Sequence, residues 1–238
     1  MLELRVVLDA VERDDGQRNP FVGMLTILNT MNWQERRESL GISQAVAAHA
    51  AGISRTALSL IENGRLRPSV RTLQALERAL DPFASAVRLV HGGGPVAAAE
   101  TLREVAREGG LAYALTLDVA AWLLTRYQTP ATAWAYVRPL EGWTSSLRKR
   151  RVRTPRAEKR ADLVLLRAPP EILAGASLRE GFSVVHPRRL VEDSTRLGGR
   201  HALDAARTYV EFPESRTPGL RLDADALLKV YEEVVART

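Results

Sequence analysis

The 238-residue chain contains no cysteine, which excludes disulfide scaffolds, cysteine-based zinc sites and thiol nucleophiles. Lysine is nearly as scarce: Lys149, Lys159 and Lys229 are the three present, and the rest of the 34 basic residues are arginine. No lysine is placed to serve a Ser/Lys peptidase, and there is no HExxH for a metallopeptidase. Four histidines, His49, His91, His186 and His201, stand far apart in sequence with no acidic residue at ligand spacing. No metal and no cofactor are therefore expected. No apolar run approaches the roughly 18 residues of a membrane span. The N-terminus mixes acidic and basic side chains and lacks the layout of a signal peptide. The expectation is a cytoplasmic chain with no membrane contact.

Hydrophobic residues make up 45% and charged residues 26% of the chain, the balance of a globular protein with length enough for two small domains. The net charge of +6 is unevenly placed. Residues 148–160, RKRRVRTPRAEKR, hold eight basic and one acidic side chain, more than the whole excess. Residues 33–81 carry seven basic and five acidic side chains, so +2. Charge alone hints at nucleic acid but does not say where it binds.

Four regions follow from the patterning. Residues 1–30 lack a clear period and are expected to form a loosely packed extension, with Met31 an alternative chain start. Residues 31–82 read as short helices. Trp33–Leu40 closes at Gly41; Ser43 and Gly52 bracket a second helix; Ser54 opens a third that runs to Asn63; Pro68 and Ser69 introduce a fourth. Residues 83–110 read as a linker with one helix, the HGGG of 91–94 serving as a hinge. Residues 111–238 read as a mixed α/β domain. Thr116 is expected to cap a helix to Tyr127. Trp134–Val137, Asp162–Leu166 and Phe182–Val185 look like strands, and Arg188–Leu197, His201–Tyr209 and Asp223–Val235 like helices. The fold class expected is α+β, an all-α helix-turn-helix bundle followed by a mixed α/β domain.

The segment ISQAVAAHAAGISRTALSLIENGRLRPS meets several requirements of a helix-turn-helix at once. Ala48 is small where two helices must touch, and Gly52 tolerates the positive φ of the tight turn. Ala47, Ala51, Ile53, Leu58 and Ile61 fall on the inward side. Ser54 supplies an N-cap, and Arg55, Thr56 and Ser59 face outward, where a recognition helix meets the major groove. Arg36, Arg37, Arg65 and Arg67 lie beside them as candidate phosphate contacts.

This stretch resembles the phage-repressor, or XRE, class of helix-turn-helix. The likeness is carried by Gln44, Ala48, Gly52-Ile53-Ser54, Leu58-Ser59 and Ile61-Glu62-Asn63-Gly64 with Arg65 and Pro68. The resemblance implies that Gln44 touches phosphate and braces the recognition helix, and that Arg55, Thr56 and Ser59 reach base edges. Leu60 departs from the usual long polar residue there, so it reads as a contact to a thymine methyl or as no contact. The DNA-binding set is thus Gln44, Ser54, Arg55, Thr56, Ser59, Arg65 and Arg67. The basic run offers a second DNA contact through Arg148, Lys149, Arg150, Arg151 and Arg153, against the plainer reading of a solvated loop.

Two later stretches, YALTLDVAAWLL (113–124) and ADLVLL followed by 181–212, resemble the C-terminal domain of AbiEi-type antitoxins of type IV toxin–antitoxin systems. Asp193, Gly198, Gly199 and Arg200 hold matching places, and Leu117 stands where that pattern has Gly. The resemblance implies antitoxicity and repression of the protein's own operon. The reading that combines these features is a non-enzymatic, sequence-specific regulator of double-stranded DNA, a repressor acting as a homodimer or as paired monomers on an inverted repeat. Two alternatives stay open: a ligand- or stress-sensing transcription factor, and a DNA-targeted nuclease or nucleotidyltransferase-like enzyme. Asp162 imitates one carboxylate of a nuclease core, but Glu171 lacks the lysine such a core pairs with it.

Overall fold

A computed structural model describes residues 32–155, 161–218 and 220–236. The expected extension 1–30 and the last five residues of the basic run, 156–160, lie outside the described residues. Two compact units emerge. One comprises the described chain up to Ala86 with Leu166–Pro170; the other comprises Val87–Leu165 and the described chain from Glu171 onward.

The first unit is helical: α1 Trp33–Ser39, α2 Gln44–Ala51, α3 Arg55–Glu62 and α4 Val70–Ala79. Every one of these helices opens on a residue whose side-chain oxygen accepts an orphan amide. Asn32 caps Glu35, Ser43 caps Val46, Ser54 caps Ala57 and Ser69 caps Thr72. Caps of this kind contribute about 1 kcal/mol each, which matters for helices of seven to ten residues that would not persist alone. Gly52 ends α2 at φ +67°, a conformation that costs glycine nothing and any other residue strain. The core joins Trp33, Leu40, Ile42, Leu58, Ile61, Leu73, Leu76 and Leu80 around Ala47, Ala48 and Ala51. The three alanines let α2 lie close to its neighbours.

The second unit is built on a six-stranded sheet of order β1-β4-β3-β2-β6-β5. Its strands are β1 Val87–Leu89, β2 Ala112–Thr116, β3 Ala133–Arg138, β4 Leu163–Arg167, β5 Ser177–Arg179 and β6 Phe182–Val184. Strands β1/β4, β2/β3 and β5/β6 run antiparallel, and β2/β6 runs parallel. Leu163, Val164, Leu165 and Leu166 are all buried, so this strand is covered on both faces, as a continuous apolar run demands. The helices are α5 Gly94–Gly109, α6 Leu117–Thr125, α7 Leu140–Lys149, α8 Pro170–Ala174, α9 Pro187–Leu197, α10 His201–Glu211 and α11 Ala224–Val235. Helices α5 and α7 pack on each other and on β3, while α6, α9 and α10 form another packed group against β2.

Three expectations change here. Residues 83–110 are not a linker: β1 pairs with β4, and α5 buries Ala98, Ala99, Leu102 and Val105. The helix expected after Thr116 is present as α6, with Thr116 at its N-cap position, but the Thr116 hydroxyl does not cap it, and Ala112–Thr116 before it is a strand that the sequence reading did not assign. Residues 148–149 lie in the last turn of α7, whose core face is Leu140, Trp143 and Leu147. The basic run therefore begins on a helix, not on a loop.

Candidate nucleic-acid interface

The outward side of α3 is organised from beneath by a chain of charge-assisted hydrogen bonds. Arg37 Nε donates to Glu62 Oε1 at 2.7 Å and its NH2 to Oε2 at 3.2 Å, a bidentate pair joining α1 to the end of α3. The NH1 group of Arg37 also holds the carbonyl of Ile42 at 2.9 Å. Gln44 Nε2 donates to the other side of the same carboxylate, Glu62 Oε2, at 2.8 Å. Gln44 Oε1 then accepts from Arg55 Nε at 3.4 Å. Burial pushes the Glu62 carboxyl up, but donation from Arg37 and Gln44 and the charge of Arg37 outweigh it, and the group sits below the usual carboxylate range. In turn Glu62 raises the pKa of Arg37 against the opposing effect of burial.

This network assigns the expected residues different tasks. Arg55, Thr56, Arg65 and Arg67 are exposed on α3 and the loop after it, and Ser59 is half-buried on α3. Arg55 is engaged through Nε, which leaves the fork's terminal amino groups for a base edge or a phosphate. The hydroxyl of Ser54 is spent on capping Ala57. Gln44 braces Arg55, and Leu60 is 37% exposed on α3. Arg37, grouped in sequence with the phosphate contacts, is 8% exposed and committed to Glu62, so it is a structural residue. Glu62 is the partner that sequence reasoning missed; its spacing of 18 residues from Gln44 and 25 from Arg37 left no local signal.

The basic run divides in a similar way. Arg148, Lys149, Arg151 and Arg153 are exposed at the end of α7. Arg150 contacts Glu104 at 3.4 Å and Glu108 at 2.5 Å, which draws its charge onto α5.

Two buried polar clusters mark the second unit. Asp193, 1% exposed, accepts from Thr116 Oγ1 at 2.8 Å, Tyr136 OH at 3.0 Å and Arg189 NH2 at 2.9 Å. Thr116 and Asp193 come from the two stretches singled out in the sequence. Asp118 is 3% exposed; its Oδ2 accepts the amides of Ala131 and Thr132, and its Oδ1 lies 3.0 Å from His201 Nδ1. So His201 does have acidic neighbours: Asp204 stands three residues on along the same helix, a spacing the sequence carried, and Asp118 is brought to it by the packing of α6 on α10. Burial would raise Asp118, but His201, Arg200 and the Ala131 amide hold it below the usual range. Asp204 is pushed up to about 6 by burial and by the charge of Asp118.

Gly198 and Gly199 turn the chain at positive φ between α9 and α10, and Arg200 donates to the carbonyl of Thr129 at 2.9 Å. Asp162 accepts the amides of His91 and Gly92 at 2.9 and 3.2 Å. That carboxylate anchors the HGGG turn.

Two helices joined by a glycine turn, with a braced arginine at the start of the outer one, define a helix-turn-helix DNA-binding domain. Residues 34–82 match the helix-turn-helix family model, of the XRE type, over about a fifth of the chain. The chain thus carries the DNA-binding domain of a transcription regulator. No curated protein and no solved structure matches it. Among the described residues no helix is long and apolar enough to cross a membrane.

Proposed function

We propose that the protein is a sequence-specific, non-enzymatic repressor of its own operon, working in the cytoplasm as a homodimer or as paired monomers on an inverted repeat. One observation carries the reading: the hydrogen-bonded chain Arg37–Glu62–Gln44–Arg55 presents an arginine at the start of α3 in a held position. A preorganised guanidinium loses little side-chain freedom on meeting a guanine, which is what base readout requires. One bundle covers a modest area, so operator affinity calls for two half-sites about one helical turn apart. The exposed side chains of Arg148, Lys149, Arg151 and Arg153 add a second phosphate contact.

The deciding experiment is a gel shift of the protein on its own upstream DNA beside the Arg55→Ala variant. Wild type should shift that DNA. The variant should lose about 1–3 kcal/mol at the operator and relax discrimination at one base pair. Uniform weakening on every sequence would remove the readout role of Arg55, and failure of wild type to shift its own promoter would remove autoregulation.

An antitoxin role extends the proposal through the AbiEi-like stretches. Its support is the 2.8 Å hydrogen bond from Thr116 to Asp193, which makes the two stretches parts of one packed unit. Coexpression with the product of the neighbouring gene should relieve toxicity; no relief removes this extension and leaves the repressor reading intact.

A further inference from the structure

The trio Asp118, His201 and Asp204 gathers in the second unit, from the starts of α6 and α10. Each residue offers one ligand atom, and the three atoms lie within 4.8 Å of one another. Asp118 Oδ1 and His201 Nδ1 face each other at 3.0 Å, an ion-pair distance. Asp204 Oδ2, turned to the same place, is buried without a hydrogen-bond partner, in a residue that is 1% exposed. A buried carboxylate oxygen without a partner, converging with a buried carboxylate–imidazole contact, is costly unless one shared partner satisfies all three atoms.

We propose that Asp118, His201 and Asp204 form a divalent transition-metal site, taking Zn2+ or Mn2+, that ties the start of α6 to the start of α10. The donor set is one imidazole nitrogen and two carboxylate oxygens, which suits those ions better than Ca2+ or Mg2+. The 3.0 Å separation of Oδ1 and Nδ1 matches the edge between adjacent ligands about 2.1 Å from a common ion. Two carboxylates balance the ion's charge. The surroundings provide the orienting contacts a metal site needs: the amides of Ala131 and Thr132 fix Asp118 through Oδ2, and Gln128 Nε2 fixes Asp204 through Oδ1 at 3.1 Å. Both carboxylates therefore have one oxygen held and the other turned to the cluster. Ligand binding through Nδ1 of His201 leaves Nε2 as the protonated nitrogen.

The test uses the full chain, dialysed against Zn2+ or Mn2+ in separate arms with Mg2+ as control, followed by metal analysis and thermal unfolding. One equivalent should be retained, and Tm should rise with the logarithm of free metal. Asp204→Asn keeps the shape and removes the charge; His201→Gln removes the nitrogen ligand. Each should weaken binding at least tenfold and abolish the metal-dependent rise in Tm, whereas His49→Ala, on α2, should leave both unchanged. Should a variant fail to fold, Co2+ titration of wild type still decides: a one-equivalent absorption band in the visible is expected. Absence of stoichiometric binding by wild type overturns the proposal. So does equal binding by Asp204→Asn, or an Asp204→Asn variant more stable than wild type at every metal concentration, which would assign the cluster to a shared proton. None of these readings depends on DNA binding.

Discussion

Replacing Arg37 by alanine tests whether the recognition helix is held from below. An exposed ion pair would contribute about 0–1 kcal/mol, but the side chains of Arg37 and Glu62 are only 10% and 2% exposed. Arg37→Ala strands a buried carboxylate with Gln44 as its remaining side-chain donor, and it also frees the Ile42 carbonyl. Removing one member of a buried pair costs about 3–5 kcal/mol, a large part of the stability of a small helical unit. Urea unfolding of the full chain at pH 7, followed by far-ultraviolet circular dichroism and tryptophan emission, should show the helical transition moving to lower denaturant. Trp33, 5% exposed in that core, reports it. The companion variant Arg37→Met/Glu62→Leu removes both charges and should recover most of the loss, because no unpaired ion is left behind. A cost below 1 kcal/mol for Arg37→Ala, or a double variant as unstable as the sum of the singles, would refute the reasoning.

Further outcomes follow from the same structure. Glu62 titrates below its ordinary value when folded, so its contribution is complete above the unfolded carboxyl pKa and is lost as pH falls through the folded one. Stability of wild type should drop below about pH 4.5, and Glu62→Gln should flatten that drop; parallel profiles would contradict it. Leu117 is fully buried at φ +54°. Leu117→Ala and Leu117→Gly should both lose about 2–5 kcal/mol, but glycine, about 0.5–1 kcal/mol worse than alanine elsewhere, should equal or surpass it here because it relieves the left-handed strain. Chemical denaturation of the two variants checks this, and a clear advantage for alanine would count against it. Neutralising Arg148, Lys149, Arg151 and Arg153 together should reduce the slope of log affinity against log salt by up to about 3.6. Arg150→Ala, already paired with Glu104 and Glu108, should change that slope little, and identical slopes throughout would remove the second contact.

The helical unit was legible in the sequence because its determinants are local. Ser43, Ser54 and Ser69 cap the helices they precede, and Gly52 sits where the turn needs positive φ. The outward placement of Arg55 and Thr56 followed from the same spacing. The resemblance implied a bracing role for Gln44, but the Arg37–Glu62 pair it leans on was not legible, since Arg37, Gln44 and Glu62 meet only after three helices have packed. The second unit hid more. In YALTLDVAAWLL a buried strand and a buried helix are both apolar, so period alone does not divide them. The break falls at Leu117, whose left-handed conformation is the kind that glycine would have announced. Helix α7 carries Leu140, Trp143 and Leu147 on one face, but the arginines that follow drew the reading towards a loop. His201 and Asp118 lie 83 positions apart, and only the packing of α6 on α10 brings them together.

The passage from β2 to α6 uses no connecting residue at all: Thr116 ends the strand and Leu117 begins the helix. Length changes there have nowhere to go. One inserted residue would turn Asp118 about 100° around the helix axis, away from the Ala131 and Thr132 amides, or would displace Thr116 from Asp193. The hairpin between β5 and β6 is the opposite case. Its two-residue tip, Glu180-Gly181, has positive φ at both positions and joins an exposed edge strand to the sheet. Peptide tags and natural insertions belong at that tip, while the β2–α6 junction should keep a fixed length wherever this fold recurs.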